Sequence, residues 1–301
     1  MNKYVRRVLE FVIVVVVALS YYFYDDIEKY INEFTQDNIS NVVVTSPDNL
    51  EIYYLDVGQA DSILIRHLDN NVLIDAGNNA DGKLLVDYFN SLGINHFDYV
   101  IGTHAHEDHI GGMDDIIDNF RIDHFYMPDV ITTTKTFEDV VDSLSNKKVK
   151  FETPQIDSII NLGDLKISIL YVGDDKTDLN NTSIVLKLYY GDTSYLFTGD
   201  ATSEVEKKII NKDLKSDVLK VGHHGSQYSS SARFIKEVSP KYSIICVGKN
   251  NDYGHPKDVV LNKLNRINST IYRTDRDGTI LLKSDGKGIV IDKINTNTNG
   301  N

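Results

Sequence analysis

The sequence predicts an α/β domain that carries a metal-binding loop at the edge of its sheet, behind an N-terminal membrane anchor. Three observations predict it. Short apolar runs alternate with helical periods from Leu50 onward. One of these runs, Phe97-Asp98-Tyr99-Val100-Ile101, leads into Thr103-His104-Ala105-His106-Glu107-Asp108-His109-Ile110-Gly111-Gly112. The earliest apolar stretch, from Phe11 to Leu19, lies between Lys3, Arg6 and Arg7 on one side and Asp25 and Asp26 on the other.

A basic flank, an apolar core and an acidic exit match an export signal. The basic end stays in the cytoplasm and the remainder goes outside. Tyr21, Tyr22, Phe23 and Tyr24 suit a membrane interface. Residues 1–24 therefore read as an uncleaved signal anchor, because the apolar character continues past Ser20. That predicts a single-pass protein of the cell membrane with its folded domain extracytoplasmic. Ala18-Leu19-Ser20 offers a cleavage site, so secretion is the alternative. Residues 25–49 read as a polar tether, 50–292 as the folded domain and 293–301 as a disordered tail. The net charge of −13 excludes a lysine-coated protein that holds nucleic acid nonspecifically. It leaves a local nucleic-acid site open. The single cysteine, Cys246, lies in an apolar run and rules out an intrachain disulfide.

The domain opens with strands predicted over 50–57, 62–66 and 72–74, the last ending in Asp75-Ala76-Gly77. A helix is predicted over 82–91, and the loop strand follows. Side chains two apart project to one side of an extended backbone, so His104 and His106 can share one metal ion. Asp108 and His109 come after the chain turns and can face a second. Imidazole with carboxylate suits zinc, and also manganese or iron. Next come a helix over 113–120, a strand over 122–126 with His124 as a bystander, a helix over 132–145 and short strands over 149–170.

A strand over 195–200 ends in Thr198-Gly199-Asp200, and a helix over 201–210 follows with Ser203 as its cap. Then Asp217-Val218-Leu219-Lys220-Val221-Gly222-His223-His224-Gly225-Ser226 reads as a buried strand delivering two adjacent histidines. On an extended chain these point opposite ways, so the two are not expected to bind the same ion. Helices are predicted over 232–238 and 257–266, with strands over 242–248, 271–275 and 278–282.

H-x-H-x-D-H after a strand is similar to the signature of the metallo-β-lactamase fold superfamily. Within it, Asp56-Val57-Gly58-Gln59-Ala60-Asp61-Ser62, Asp217 to Ser226, Asn180-Asn181-Thr182-Ser183 and Asn251-Asp252-Tyr253-Gly254-His255-Pro256 resemble the hydrolase domain of ComEC-family competence proteins. Ala60 departs from the usual glycine, and no histidine stands near Asn181, where many superfamily members have a ligand.

The resemblance implies an αββα sandwich and two divalent ions, zinc first and manganese second. It implies His104, His106, Asp108, His109, Asp200 and His223 as ligands, with Asp200 bridging and Asp75 orienting from behind. His224 is then left to hold a substrate oxygen or protonate a leaving group, and the two histidines could exchange roles. His255 is either a ligand or a substrate contact. Asn181 is either a metal or substrate contact or a turn former, and Lys220 and Ser226 are candidates for a phosphate. A metal-activated hydroxide, steered by Asp108, would attack a phosphodiester. Single-stranded DNA is the first candidate substrate, a small phosphodiester or phosphocholine ester the second, and a degenerate binding module the third reading.

Overall fold

The structure is a computed structural model that describes residues 49–294. The anchor over 1–24, all of the tether but Asn49, and residues 295–301 lie outside the described residues. Among those described, no helix is long and apolar enough to cross a membrane.

Strands β1 (Leu50–Tyr54), β2 (Ser62–His67), β3 (Asn70–Ala76), β4 (His96–Ile101), β5 (Arg121–Tyr126) and β6 (Phe151–Glu152) begin one sheet. Strands β7 (Ile159–Leu162), β8 (Leu165–Tyr171), β9 (Val185–Tyr190), β10 (Thr193–Phe197), β11 (Val218–Lys220), β12 (Tyr242–Ile245) and β13 (Thr270–Arg273) form the other. The chain then returns to the first sheet with β14 (Thr279–Ser284) and β15 (Ile289–Ile294). The sheet orders are β15-β14-β1-β2-β3-β4-β5-β6 and β13-β12-β11-β10-β9-β8-β7. From β3 to β6 and from β10 to β13 the pairing is parallel, and elsewhere it is antiparallel.

Side-chain alternation explains the layers. Ile52, Tyr54, Ile63, Ile65, Val72 and Ile74 point into the space between the sheets, against Ile167, Ile169, Leu186, Leu188, Tyr195 and Phe197. The intervening Tyr53, Leu64 and Leu73 pack outward under helices α1 (Gly82–Ser91), α2 (Glu107–Ile110), α3 (Met113–Asn119) and α4 (Lys135–Lys147). On the second sheet, Leu196 and Leu219 pack outward under α5 (Ser203–Ile209), α6 (Ala232–Val238) and α7 (Asp258–Arg266). Strands buried on both faces read as continuous apolar runs. Each such side chain contributes about 1.5–3 kcal/mol on burial. The result is the αββα sandwich that the resemblance implied.

Two helix starts differ from the sequence reading. The helix expected from 132 begins at Lys135, because the Thr134 side chain accepts the Phe137 N–H and caps it. The helix expected from 201 begins at Ser203, and its cap is Thr202, whose hydroxyl accepts the Glu204 N–H at 3.2 Å. Ser203 is already helical.

The loop after β4 is pressed against the loop after β3. The Gly111 N–H donates to the Gly77 carbonyl at 2.9 Å. A Cβ on Gly111 would lie 2.2 Å from backbone atoms of Asn78 and Asn79. We expect Gly111→Ala to lower stability by about 1–3 kcal/mol, because backbone must move to admit the methyl group. Urea unfolding of the two proteins measures this.

Candidate metal centre

The C-terminal ends of β3, β4, β10 and β11 open onto one place, where both sheets run parallel. Ligands in open α/β sheets sit at such strand ends. Asp75, at the end of β3, is 1% exposed. Its Oδ1 accepts the Thr103 N–H at 2.7 Å, and its Oδ2 accepts the Thr103 hydroxyl and His109 Nδ1, both at 2.8 Å. That third contact settles the His109 tautomer: Nδ1 donates, and Nε2 is left facing Asp200 Oδ1 at 3.4 Å.

His104 and His106 stand side by side, with Nε2 of the first 2.9 Å from Nδ1 of the second. Burial and the neighbouring His109 hold the His104 pKa well below the ordinary value, so its ring is neutral. Burial opposes charge on His109, but Asp200, Asp75 and Asp108 outweigh it and raise its pKa well above the usual range. Burial likewise opposes charge on Asp200, and His109 and His224 hold its carboxylate well below the ordinary value. The field at this point favours a cation, either a proton or a metal competing for the same nitrogen.

The two histidines after β11 depart from the extended geometry expected of them. His223 and His224 have φ of 54° and 51°. In this left-handed turn the opposite-sides rule does not apply. Gly225 follows at φ 83°, and a Cβ there would lie 2.5 Å from Pro256. His224 is buried, and its Nδ1 lies 2.8 Å from the Cys246 carbonyl. A carbonyl only accepts, so Nδ1 is the donor and Nε2 carries the lone pair. That Nε2 lies 3.3 Å from Asp108 and 3.6 Å from Asp200. His223 is more exposed, with Nε2 3.7 Å from Asp200 on the pocket side.

Donor atoms of His104, His109 and Asp200 lie within 4.8 Å of one another, as do those of Asp108, His109 and His224. His109 Nε2, His224 Nε2 and Asp200 Oδ1 are buried without a hydrogen-bond partner. Buried orphans of this kind call for an absent partner, and imidazole with carboxylate is a donor set for divalent transition metals. The residues therefore fit divalent metal. Above them lies a cavity of about 440 Å³ whose wall includes His106, Asp108, Asp200, His223, His224 and His255. His106, His223 and His255 are in neither donor group; the His255 ring lies 5.9 Å from that of His223.

Three expected contacts lie elsewhere. Lys220 is fully buried and ion-paired with Asp61, so it is turned away from any phosphate in the cavity. Asn181 spends its amide on Asp175 and Thr202, which makes it a turn residue. Ser226 closes the histidine turn, its N–H donating to the His223 carbonyl at 2.7 Å. Asp61 stands inside a motif quoted from the sequence but was not singled out there. It is 1% exposed, pairs with Lys220, and lies 3.4 Å from His224 Nδ1 and 3.9 Å from His109 Nδ1. Its signal was a carboxylate directly before a run of buried strand residues. Gln59, Asn78, Glu107 and Tyr253 also line the cavity and were not singled out.

An αββα frame with this donor set at its strand ends defines a metal-dependent hydrolase. Residues 55–249 match the metallo-beta-lactamase superfamily, and the chain belongs to it. ComE operon protein 3 of Bacillus subtilis is 33% identical over 251 residues, 76% of this chain and 32% of that protein. Competence protein ComA of Neisseria gonorrhoeae is 30% identical over 231 residues, 75% of this chain and 31% of that protein. The chain thus spans about a third of the length of these relatives. Among solved structures, the metallo-beta-lactamase fold protein YhfI of Bacillus subtilis is similar at TM-score 0.54 and 14% identity, covering 79% of this chain and 100% of that one. CmlA, a diiron β-hydroxylase from Streptomyces venezuelae, is similar at TM-score 0.52 and 14% identity, covering 76% and 53%. These two show the shared fold.

Two expectations follow from the geometry. Asp75→Asn should weaken metal affinity about 10- to 100-fold, because His109 loses its anchor; competition with a chromogenic chelator measures it. Lys220→Met should cost about 3–5 kcal/mol, because Asp61 is left buried without its counter-ion; urea unfolding of the metal-free protein measures it.

Proposed function

We propose that this chain hydrolyses phosphodiester bonds, with single-stranded DNA as substrate, at the outer face of the cell membrane. The observation that carries the reading is the pair of donor groups that share His109, one of them including Asp200, beneath an open cavity. His104 and His106 would hold one divalent ion, with zinc the first choice and manganese the second. Asp108, His109 and His224 would hold the other, with Asp200 between them. This exchanges the expected roles of His223 and His224. Buried Nε2 of His224 lies between two carboxylates, whereas His223 opens onto the cavity.

When bound, the ions supply a water whose pKa lies near neutrality. The protein's own groups do the rest. Asp75 and Asp61 lie behind the histidines and keep their rings aimed. Asp108 borders the cavity and orients the attacking oxygen. His223 stands where a leaving oxygen can take a hydrogen bond or proton. The resemblance to competence proteins supports a nucleic-acid substrate, and the basic, apolar and acidic order of the N-terminal sequence supports a membrane setting. The net charge of −13 favours the second reading, a small phosphodiester or phosphocholine ester, because it gives a long DNA strand little attraction.

The test is hydrolysis of single-stranded DNA and of bis(p-nitrophenyl) phosphate by the metal-loaded full chain. We expect cleavage of both, abolished by chelator and lowered at least 100-fold by Asp200→Ala. Cleavage of the small ester alone would select the second reading. A chain that binds no metal would return the degenerate-module reading.

A further inference from the structure

We propose that Tyr253 is a stacking platform for a nucleobase of the substrate, set beside the cavity where the phosphodiester would be cut. The inference rests on the phosphodiesterase reading and specifies what that site recognises. Tyr253 is 65% exposed, yet it lines the same cavity as Asp108, Asp200 and His223. Its ring is nearly parallel to that of His255, at 18° with centroids 5.8 Å apart. His255 in turn meets His223 edge-on at 5.9 Å. A row of rings thus runs from solvent to His223 at the cavity wall beside Asp200.

The loop that carries Tyr253 is braced. The Asn251 amide donates to the carbonyls of Gly248 and His255, at 2.9 and 2.8 Å, and accepts the His255 N–H at 2.9 Å. The Lys257 ammonium donates to the Tyr253 carbonyl at 2.7 Å. The Gly248 N–H donates to the Gln59 side chain at 3.0 Å, tying the loop to the turn after β1. An aromatic face held out to water gains nothing from burial in the free protein. Held rigid, it loses little freedom when a ligand covers it. Nucleobases stack on such faces whatever their sequence. A quaternary ammonium group, by contrast, is recognised by a cage of several aromatic faces. Among the described residues, one phenol lines this wall and the other rings in it are imidazoles. The geometry therefore favours a base over a choline headgroup.

The test is the binding of fluorescein-labelled oligothymidylate and of an abasic oligomer of equal length to the metal-loaded full chain. Fluorescence anisotropy is read by stopped flow before turnover. The expected result is tighter binding of the base-bearing oligomer by about 5- to 150-fold. Tyr253→Ala should erase that preference and Tyr253→Phe should keep it. A preference that survives in Tyr253→Ala, or none in the wild type, overturns the inference. Displacement by phosphocholine that depends on Tyr253, without any base preference, overturns it in favour of a cation site. Because binding is read without turnover, a chain that prefers bases through Tyr253 and cleaves nothing fails the hydrolysis reading alone. One that cleaves bis(p-nitrophenyl) phosphate and ignores bases fails this inference alone.

Discussion

Three carboxylates are buried beneath a rim of histidines, and the site depends on how each is compensated. A buried carboxylate costs several kcal/mol unless a counter-charge or hydrogen bonds offset it. Asp61 is offset by Lys220, which is itself inaccessible to solvent. Asp75 is offset by two bonds from Thr103 and one from His109. Asp200 is different: its backbone N–H is held by the Ser183 hydroxyl, but among the described residues its carboxylate has neither a lysine partner nor a hydroxyl donor and faces histidine nitrogens at 3.4–3.7 Å. Two of the three are thus neutralised by the protein. The third keeps a negative charge directed at the place where the histidine lone pairs converge, which is the electrostatic requirement of a cation site.

The sandwich is what makes that arrangement possible. Each sheet changes from antiparallel to parallel pairing partway across, at β3 in one and β10 in the other. The apolar core between the sheets holds the two layers together. The loops at their strand ends meet: the Ile184 N–H donates to the Thr103 carbonyl at 2.9 Å, and a Cβ on Gly199 would lie 2.9 Å from the Thr103 hydroxyl. The left-handed turn at His223 and His224 is tolerated because Gly222 and Gly225 flank it and the ring of His224 is tied to the Cys246 carbonyl. Strain of this kind persists where surrounding structure over-determines it. Here the determinants are the hydrogen bond that His224 Nδ1 donates to the Cys246 carbonyl and the contact of Gly225 with Pro256.

Much of the site was legible along the chain. His104, His106, Asp108 and His109 lie in one loop, so their spacing alone brought them together. Asp75 and Asp200 each end an apolar strand, a position that alone suits an ordinary turn, and the resemblance to the superfamily marked them. Residues whose role depends on a distant partner were not legible. Lys220 looked like a phosphate contact because a lysine near histidines suggests an anion, and nothing local revealed that Asp61 neutralises it. Asn181 looked like a site residue because of its motif, but its amide is spent on Asp175 and Thr202. Tyr253 stood inside a quoted motif, and only the fold shows that it borders the cavity.

The division has a physical cause. Periodicity, strand ends and ligand spacing are local properties, and from them the sequence by itself determined the α/β alternation and the candidate ligands of the loop; the motifs it shares with the superfamily pointed to the class. The tertiary structure decided which way His223 and His224 face, because a left-handed backbone overrides alternation. It decided that Lys220 serves Asp61 and that Tyr253 faces the cavity, because burial and proximity between two sheets depend on packing that no local stretch encodes.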